Sequence, residues 1–368
     1  MNLTKEDAIY ISNVFEDYFG HLERIDDYMR EQKLASLSGL PSNPLFPPED
    51  DLFSDFSIHP NDMEFSVMEI PNSQWDTLLN ITSSHINGPS PGRNLKLAVM
   101  ENKTKKFVGF IRLGSPIINC KPRNEMLGQV FTQTKEGASR FNNSSMMGFV
   151  IVPAQPFGYN YLGGKLLAAI CTSHEVREIC NKKYNMNMCL FETTSLYGSS
   201  KTVSQYDGMK PYIRFKGVTE SDFLPMMHGK PYEDLKDFVE GKIGVFVEEG
   251  ASSRKLKISQ RIIALTKQAL KGSTELQHFL KIIENAKSLT EQKRYYVSNY
   301  GFKNYIEYVN NQTDTLIPDE NYEKHHLENI VNWWKKKASN RYDTLTTENR
   351  LRTEIEVWTS GKNIDIIR

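Results

Sequence analysis

The chain has 368 residues, with 45 lysines and arginines matching 45 aspartates and glutamates. That length suits two or three domains with a sizeable core, and zero formal charge with ordinary apolar content describes a soluble globular protein. No apolar run approaches membrane-spanning length, the acidic start MNLTKEDAIYISNVFEDYF is no signal peptide, and there is no internal repeat. Cys120, Cys171, Cys180 and Cys189 form no CxxC pair and no metal-ligand spacing; their apolar neighbours predict reduced, buried thiols in a cytoplasm.

Residues 1 to about 35 predict one amphipathic helix or two short ones, with Ala8, Ile11, Val14, Phe15, Tyr18, Phe19, Leu22 and Ile25 as the apolar stripe. Thr4 through Asp7 carry the start of a cap. From Ser36 to Asn61 the chain is rich in Pro, Ser and Asp, which predicts an extended acidic connector. The first sixty residues hold twelve carboxylates against four lysines and arginines, a solvated face or a cover for a basic groove. Glu64 to Ile70 alternates as a strand, and Trp75 to Ser84 reads as a helix. Lys96 to Glu101 and Lys106 to Leu113 are strands joined by a polar turn.

The central stretch, Met146 to Ser200, reads as strand, glycine-rich turn, helix, strand. Met147 to Val152 and Met188 to Phe191 are the strands, predicted parallel because a helix over Lys165 to Tyr184 joins them. Pro156, Gly158, Gly163 and Gly164 sit at the first junction. Unpaired N–H groups and the helix dipole suit such a turn to a pyrophosphate, although a plain connection uses the same glycines. GGK lacks the following Ser or Thr of a nucleoside-triphosphate loop, and a dinucleotide GxGxxG is absent. Beyond the second strand, where open α/β sheets tend to bind ligands, Glu192 is a candidate general base or a partner of Arg214 or Lys210. Ser195 stands at the same end.

Tyr212 to Phe215 predicts a further strand, Glu233 to Val239 a short helix and Ile243 to Val247 an edge strand. Beyond Gly250 strands all but disappear: Ser252 to Lys271, Thr274 to Ala286, Thr290 to Tyr300 and Tyr322 to Leu345 all read as helices. This tail has twenty lysines and arginines against fourteen carboxylates. Lys293, Arg294, Lys303, Lys335, Lys336, Lys337 and Arg341 interleave with aromatics, as nucleic-acid binding requires, and equally as a helical domain with aromatic core and lysine surface would show. A Trp-Trp-Lys-Lys-Lys run cannot point one way on a helix, so one tryptophan is expected in the core and part of the lysine run in solvent. His325 and His326 are adjacent and point to different faces, so no metal site is expected.

The string Gln155-Pro156-Phe157-Gly158-Tyr159-Asn160 resembles the acyl-coenzyme A loop of the GCN5-related N-acetyltransferase superfamily, whose pattern is Gln or Arg, two residues, Gly, one residue, then Gly or Ala. Asn160 departs from it, and Gly163-Gly164 follow late, so the loop is longer or differently shaped. Over roughly Leu95 to Thr219, the order of hairpin, NNSSMMGFVIVP, helix, CLFETTSLYGSS and YDGMKPYIRFKG is similar to the acetyltransferase-like domains of phage Mom-type DNA-modification proteins and the Druantia anti-phage protein family. The resemblance implies an α/β fold, an α+β acetyltransferase-like mixed sheet, over 62–250; composition sets a helical segment and acidic connector over 1–61 before it and an all-α basic domain, a candidate for nucleic-acid binding, over 251–368 after it. It implies acetyl-CoA or a related acyl-CoA held by Ile151, Val152, Gln155, Phe157, Gly158, Tyr159, Asn160, Gly163, Gly164 and Lys165. It makes Tyr206 the proton donor to the departing thiolate, facing the same cleft as Glu192; the other reading of Tyr206 is a packed ring. DNA is the implied partner, in a bacterial host cytoplasm if phage-encoded. Two functions follow: phage-type DNA base modification by acyl transfer, with the amine of an adenine as acceptor in the Mom-like version and so a flipped base or single strand as substrate, or DNA binding by the same fold without the chemistry in phage or anti-phage function.

Overall fold

The fold is described from a computed structural model, over residues 3–22, 25–37, 48–84, 92–117, 120–128, 134–195, 204–219, 226–251, 254–288 and 293–358. In chain order the helices are α1 (Lys5–Phe19), α2 (Ile25–Leu37), α3 (Pro48–Asp51), α4 (Asn72–Thr82), α5 (Lys121–Leu127), α6 (Lys135–Ser144) and α7 (Phe157–Tyr161). They continue with α8 (Gly163–Ile170), α9 (His174–Tyr184), α10 (Gly229–Ile243), α11 (Arg254–Ala269), α12 (Thr274–Ser288), α13 (Tyr305–Val309) and α14 (Leu327–Thr347). The strands are β1 (Phe65–Glu69), β2 (Asn94–Glu101), β3 (Lys106–Gly114), β4 (Ser145–Pro153), β5 (Leu190–Ser195), β6 (Arg214–Val218) and β7 (Arg294–Ser298).

The chain divides into two compact units, and not at the expected 61/62 and 250/251. Met1–Leu40 joins Ser221–Glu291, and Pro41–Glu220 joins Gln292–Arg368. In the first unit the predicted N-terminal stripe becomes two helices. Thr4 and Asp7 cap α1 reciprocally, and Asp7 also pairs with Lys242 at 2.8 Å. Ala8, Ile11, Phe15 and Phe19 are buried, with Phe15 edge-on to Phe279 of α12. The expected edge strand at Ile243 to Val247 is absent: Ile243 ends α10, and Val245 is 70% exposed. Of the predicted acidic connector, 38–47 lies outside the described residues, and Leu52, Phe53 and Phe56 beyond it are buried.

The second unit is built on a seven-stranded mixed sheet in the order β1-β2-β3-β4-β5-β7-β6. Neighbours are antiparallel except β4 and β5, which run parallel as the connecting helices predict. The predicted single helix after the turn is two, α8 and α9, with Ser173 capping the second through Val176 N–H. The stretch Thr290 to Tyr300, expected to be helical, instead contains the strand β7, inserted between β5 and β6. Its Tyr-Tyr-Val core favours a strand once both faces of the ribbon are covered. On α14, Trp334 is fully buried, T-shaped to Phe65, stacked on Phe157, and donates Nε1–H to the Tyr161 carbonyl at 2.7 Å. No helix among the described residues is long and apolar enough to cross a membrane.

Candidate functional site

Four N–H groups of the glycine turn after β4 are bonded within the chain. Gly158 N–H bonds Ala154 O at 2.8 Å, Tyr159 N–H bonds the Gln155 side chain at 3.0 Å, and Asn160 N–H bonds Pro156 O at 2.9 Å. Lys165 N–H bonds Leu162 O, and the Asn160 side chain is buried and clasps the Arg352 backbone. The glycines serve close packing. A Cβ on Gly158 would lie 2.6 Å from Pro153 and Gln155, one on Gly163 2.8 Å from Phe157, and one on Gly164 2.7 Å from Gln205 Oε1. β4 and β5 do part after the Gly148–Thr193 pair, yet Val150, Ile151, Val152 and Ser195 beyond it are all buried. A pyrophosphate needs free N–H donors and open backbone, and the N–H groups of Gly158, Tyr159, Asn160 and Lys165 are already taken.

β5 separates the expected acid and base. Successive strand residues face opposite sides, so Glu192 and Thr193 diverge. Glu192 is fully buried and accepts hydrogen bonds from Tyr295 OH at 2.7 Å, Ser145 Oγ at 3.0 Å and Arg123 Nη1 at 3.4 Å. Its partner is thus Arg123, and neither Arg214 nor Lys210. Burial pushes its pKa up, while the Arg123 charge and the hydrogen bonds pull it back. A carboxylate so enclosed ties the sheet to α5 and has no surface on which to meet a substrate.

Tyr206 lies on the other face, edge-on to Tyr296 with ring centroids 5.3 Å apart. Burial pushes its phenol up to about 12, against hydrogen bonds to Gln205 and Thr193. Ser195 shares this face, opposite Arg294 in the ladder. Asp207 collects Tyr296 OH at 2.9 Å and Arg294 Nη2 at 3.3 Å, and Lys165 Nζ donates to the Gln205 and Asp207 carbonyls at 3.0 and 2.8 Å. Burial and the nearby Lys337 charge lower the Lys165 pKa. Tyr206 and Glu192 therefore do not share a cleft.

The cations of the tail separate into engaged and open ones. Lys293 is partly buried, with its pKa lowered by burial, and Arg294 lies 4.6 Å from the Phe215 ring centre. Lys335 Nζ donates to the Asn61 carbonyl at 2.9 Å, while Lys303 stands exposed on a separate turn. Lys336 and Lys337 are exposed, as the helical rotation required. Trp333, Lys337 and Arg341, at i, i+4 and i+8, form one stripe of α14. Trp333 meets Tyr212 at 4.9 Å, Lys337 sits 5.5 Å from the Trp333 ring, and Arg341 lies 4.6 Å from Tyr159. Arg352 covers Tyr159 at 4.0 Å, and Arg350 reaches its hydroxyl at 3.4 Å. Glu348 and Glu356 offset part of this charge through exposed pairs with Arg350 and Arg352. Arg350 and Arg352 follow α14 without any motif, so only the overall charge of the tail points to them in the sequence.

Among the described residues no group of three or more His, Cys, Asp or Glu could hold a metal ion. The family model of the Druantia protein DruA matches residues 57–209. This stretch is similar to DruA. The Druantia protein DruA of Escherichia coli (strain UMEA 4076-1) is 28% identical across 35% of this chain and 34% of its own. The chain thus spans about a third of the length of that curated relative. No solved structure matches. The DruA-like stretch contains β1 to β5 and the Asp207 turn, whereas β7 and the α14 stripe lie outside it.

Proposed function

We propose that this protein is a DruA-like anti-phage factor that binds nucleic acid without modifying it. The observation that carries the reading is the alternation of cations and aromatic rings along Trp333, Lys337, Arg341 and Tyr159, continued by Arg352 and Arg350. Ammonium and guanidinium groups neutralise phosphates, and guanidinium planes held against rings offer flat surfaces on which unpaired bases stack. DNA with single-stranded character is the partner this surface suits. The hairpin followed by a parallel β4–β5 pair supports an acetyltransferase-like ancestry for the sheet. Acyl transfer finds no support in the four N–H groups of the glycine turn already bonded within the chain or in the separation of Tyr206 from Glu192.

The test is single-stranded DNA binding by the full chain across a salt series. Lys337→Gln, Arg341→Gln and Arg350→Gln together should weaken binding and flatten the salt slope by about 0.7 per lost phosphate contact, about 2 in all. Lys303→Gln and Lys335→Gln should change the slope little. An unchanged slope in the folded triple variant removes the interface from α14. Stabilisation by acetyl-CoA, or a new nucleoside mass in co-expressed DNA, overturns the non-catalytic reading in favour of base modification.

A further inference from the structure

In the first unit α11 carries Arg254, Lys255, Lys257, Arg261 and Lys267 and no carboxylate. Six lysines and arginines, and no aspartate or glutamate, lie between Ala251 and Thr274. The other helices of this unit, α1, α2, α10 and α12, all mix both signs. The charges of α11 are also sorted by face, successive residues turning by about 100°. Ile258, Ile262 and Leu265 are buried on one side. Lys257, Gln260, Arg261, Ala264 and Gln268 are exposed on the other, with Lys267 half-buried at its border and Lys271 exposed just past the helix end.

Two of these cations are engaged within the unit. Arg254 lies 3.6 Å from Glu240, and Lys255 Nζ sits 4.3 Å from the Tyr232 ring centre. Lys257, Arg261 and Lys271 have no ion-pair partner among the described residues. The stripe from Lys257 to Lys271 runs about 20 Å at 1.5 Å per residue. Duplex DNA carries roughly one charge per 1.7 Å of its axis, so a stripe of that length meets several phosphates. Glutamine side chains donate to phosphate oxygens without reading sequence. α11 contains no aromatic residue, so its exposed face has no ring on which an unpaired base would stack. A membrane surface is a poorer match: an interfacial helix inserts its apolar face, and here that face is already buried in the unit.

We propose that the exposed face of α11 docks on the phosphate backbone of a nucleic-acid duplex, without regard to sequence, through Lys257, Arg261 and Lys271. The unopposed charge supplies the attraction, and the small Ala264 between the cations leaves the helix surface open to close approach. This surface stands independently of the single-strand reading of α14: it lies in the other unit and takes a paired partner.

Fluorescence anisotropy of the full chain with a blunt DNA duplex of about 20 base pairs, from about 50 to about 200 mM salt, tests this. Lys257→Gln, Arg261→Gln and Lys271→Gln together should lower the salt slope by about 0.9 per lost contact, about 2.7 in all. The parent's affinity should then fall about forty-fold more across the series than the variant's. A single strand of the same length should lose less, since α11 has no ring to hold its bases. Added to Lys337→Gln, Arg341→Gln and Arg350→Gln, the same substitutions should remove the same slope, so the two surfaces stand or fail separately. All three side chains are exposed, and glutamine is nearly as good a helix former. Should the triple variant fail to fold, Lys257→Gln with Arg261→Gln repeats the measurement with an expected change of about 1.8. The same loss on a blunt RNA duplex would uphold the assignment to a duplex backbone. An unchanged duplex slope in the folded variant, or an equal loss for the single strand, would overturn it. So would substitutions that abolish binding to phosphatidylserine vesicles while duplex binding persists.

Discussion

His325 has no exposed surface, and its Nδ1 lies 2.7 Å from the Thr172 carbonyl oxygen. Burial lowers its pKa to about 4, and His174, with its ring centre 5.9 Å away, shifts the same way by desolvation. The folded pKa lies below the unfolded one near 6.5, so above pH 6.5 both states are neutral and the group costs nothing. Below that the unfolded chain takes up a proton that the folded chain refuses, and stability falls until the pH reaches the folded value. The loss through His325 amounts to about 3 kcal/mol between pH 6.5 and 4. His325→Phe should therefore flatten the acid limb of a stability-versus-pH curve by about one proton, at a cost near neutrality from the lost Thr172 bond. A variant with an undiminished acid slope would show that His325 is not the group responsible. The sequence places His325 next to His326 and separates their faces. It cannot show burial, because the enclosing Thr172 lies 153 residues upstream.

The junction of β4, α7 and α8 shows what a sequence conveys about an element and what it withholds. Strand, glycine turn and helix were legible from apolar runs and punctuation, and the parallel pairing of β4 with β5 followed from the helical crossover. The purpose of the glycines was not, since it depends on neighbours in space. A Cβ on Gly163 would meet Phe157, Pro153 and Gly158 Cα at 2.8, 2.9 and 3.0 Å, a wall of ring and backbone atoms. On Gly164 it would meet only the mobile end of Gln205 at 2.7 Å. Gly163→Val should cost about 1–3 kcal/mol in urea unfolding, as overpacking does. Gly164→Ala should cost clearly less, because the carboxamide can swing away. Equal stability of both variants and the parent would mean that close packing does not explain the Gly163 position. β7 is hidden in the sequence for a related reason. Its charged flanks resemble the helical tail, whereas its two central tyrosines face opposite sides of the sheet, Tyr295 toward Glu192 and Tyr296 toward Asp207.

At the scale of the whole molecule, composition suggested three consecutive blocks, and the chain instead forms two discontinuous units. Charge contrast along a sequence identifies no boundary when segments distant in sequence fold together. The consequence is strongest at Gly250, where the change in composition suggested a separable tail. Cutting there removes α11 and α12 from the unit that contains α1. It also takes from the other unit β7, which hydrogen-bonds β5 on one side and β6 on the other. α14 is lost too, with Trp334 from the centre of the core cluster. Truncating a buried tryptophan to alanine typically costs about 3–5 kcal/mol, and a whole domain holds only about 5–15 kcal/mol of net stability. Without β7, buried Glu192 loses one of its three donors, the Tyr295 hydroxyl, and Asp207 loses Tyr296 and Arg294. Residues 1–250 should therefore give no cooperative thermal transition and should expose apolar surface to a fluorescent dye. Residues 41–220 co-expressed with 292–368 should recover a cooperative transition for the sheet unit. A soluble 1–250 fragment that melts cooperatively with the strand content of the full chain would show that β7 and α14 are additions to an already complete sheet.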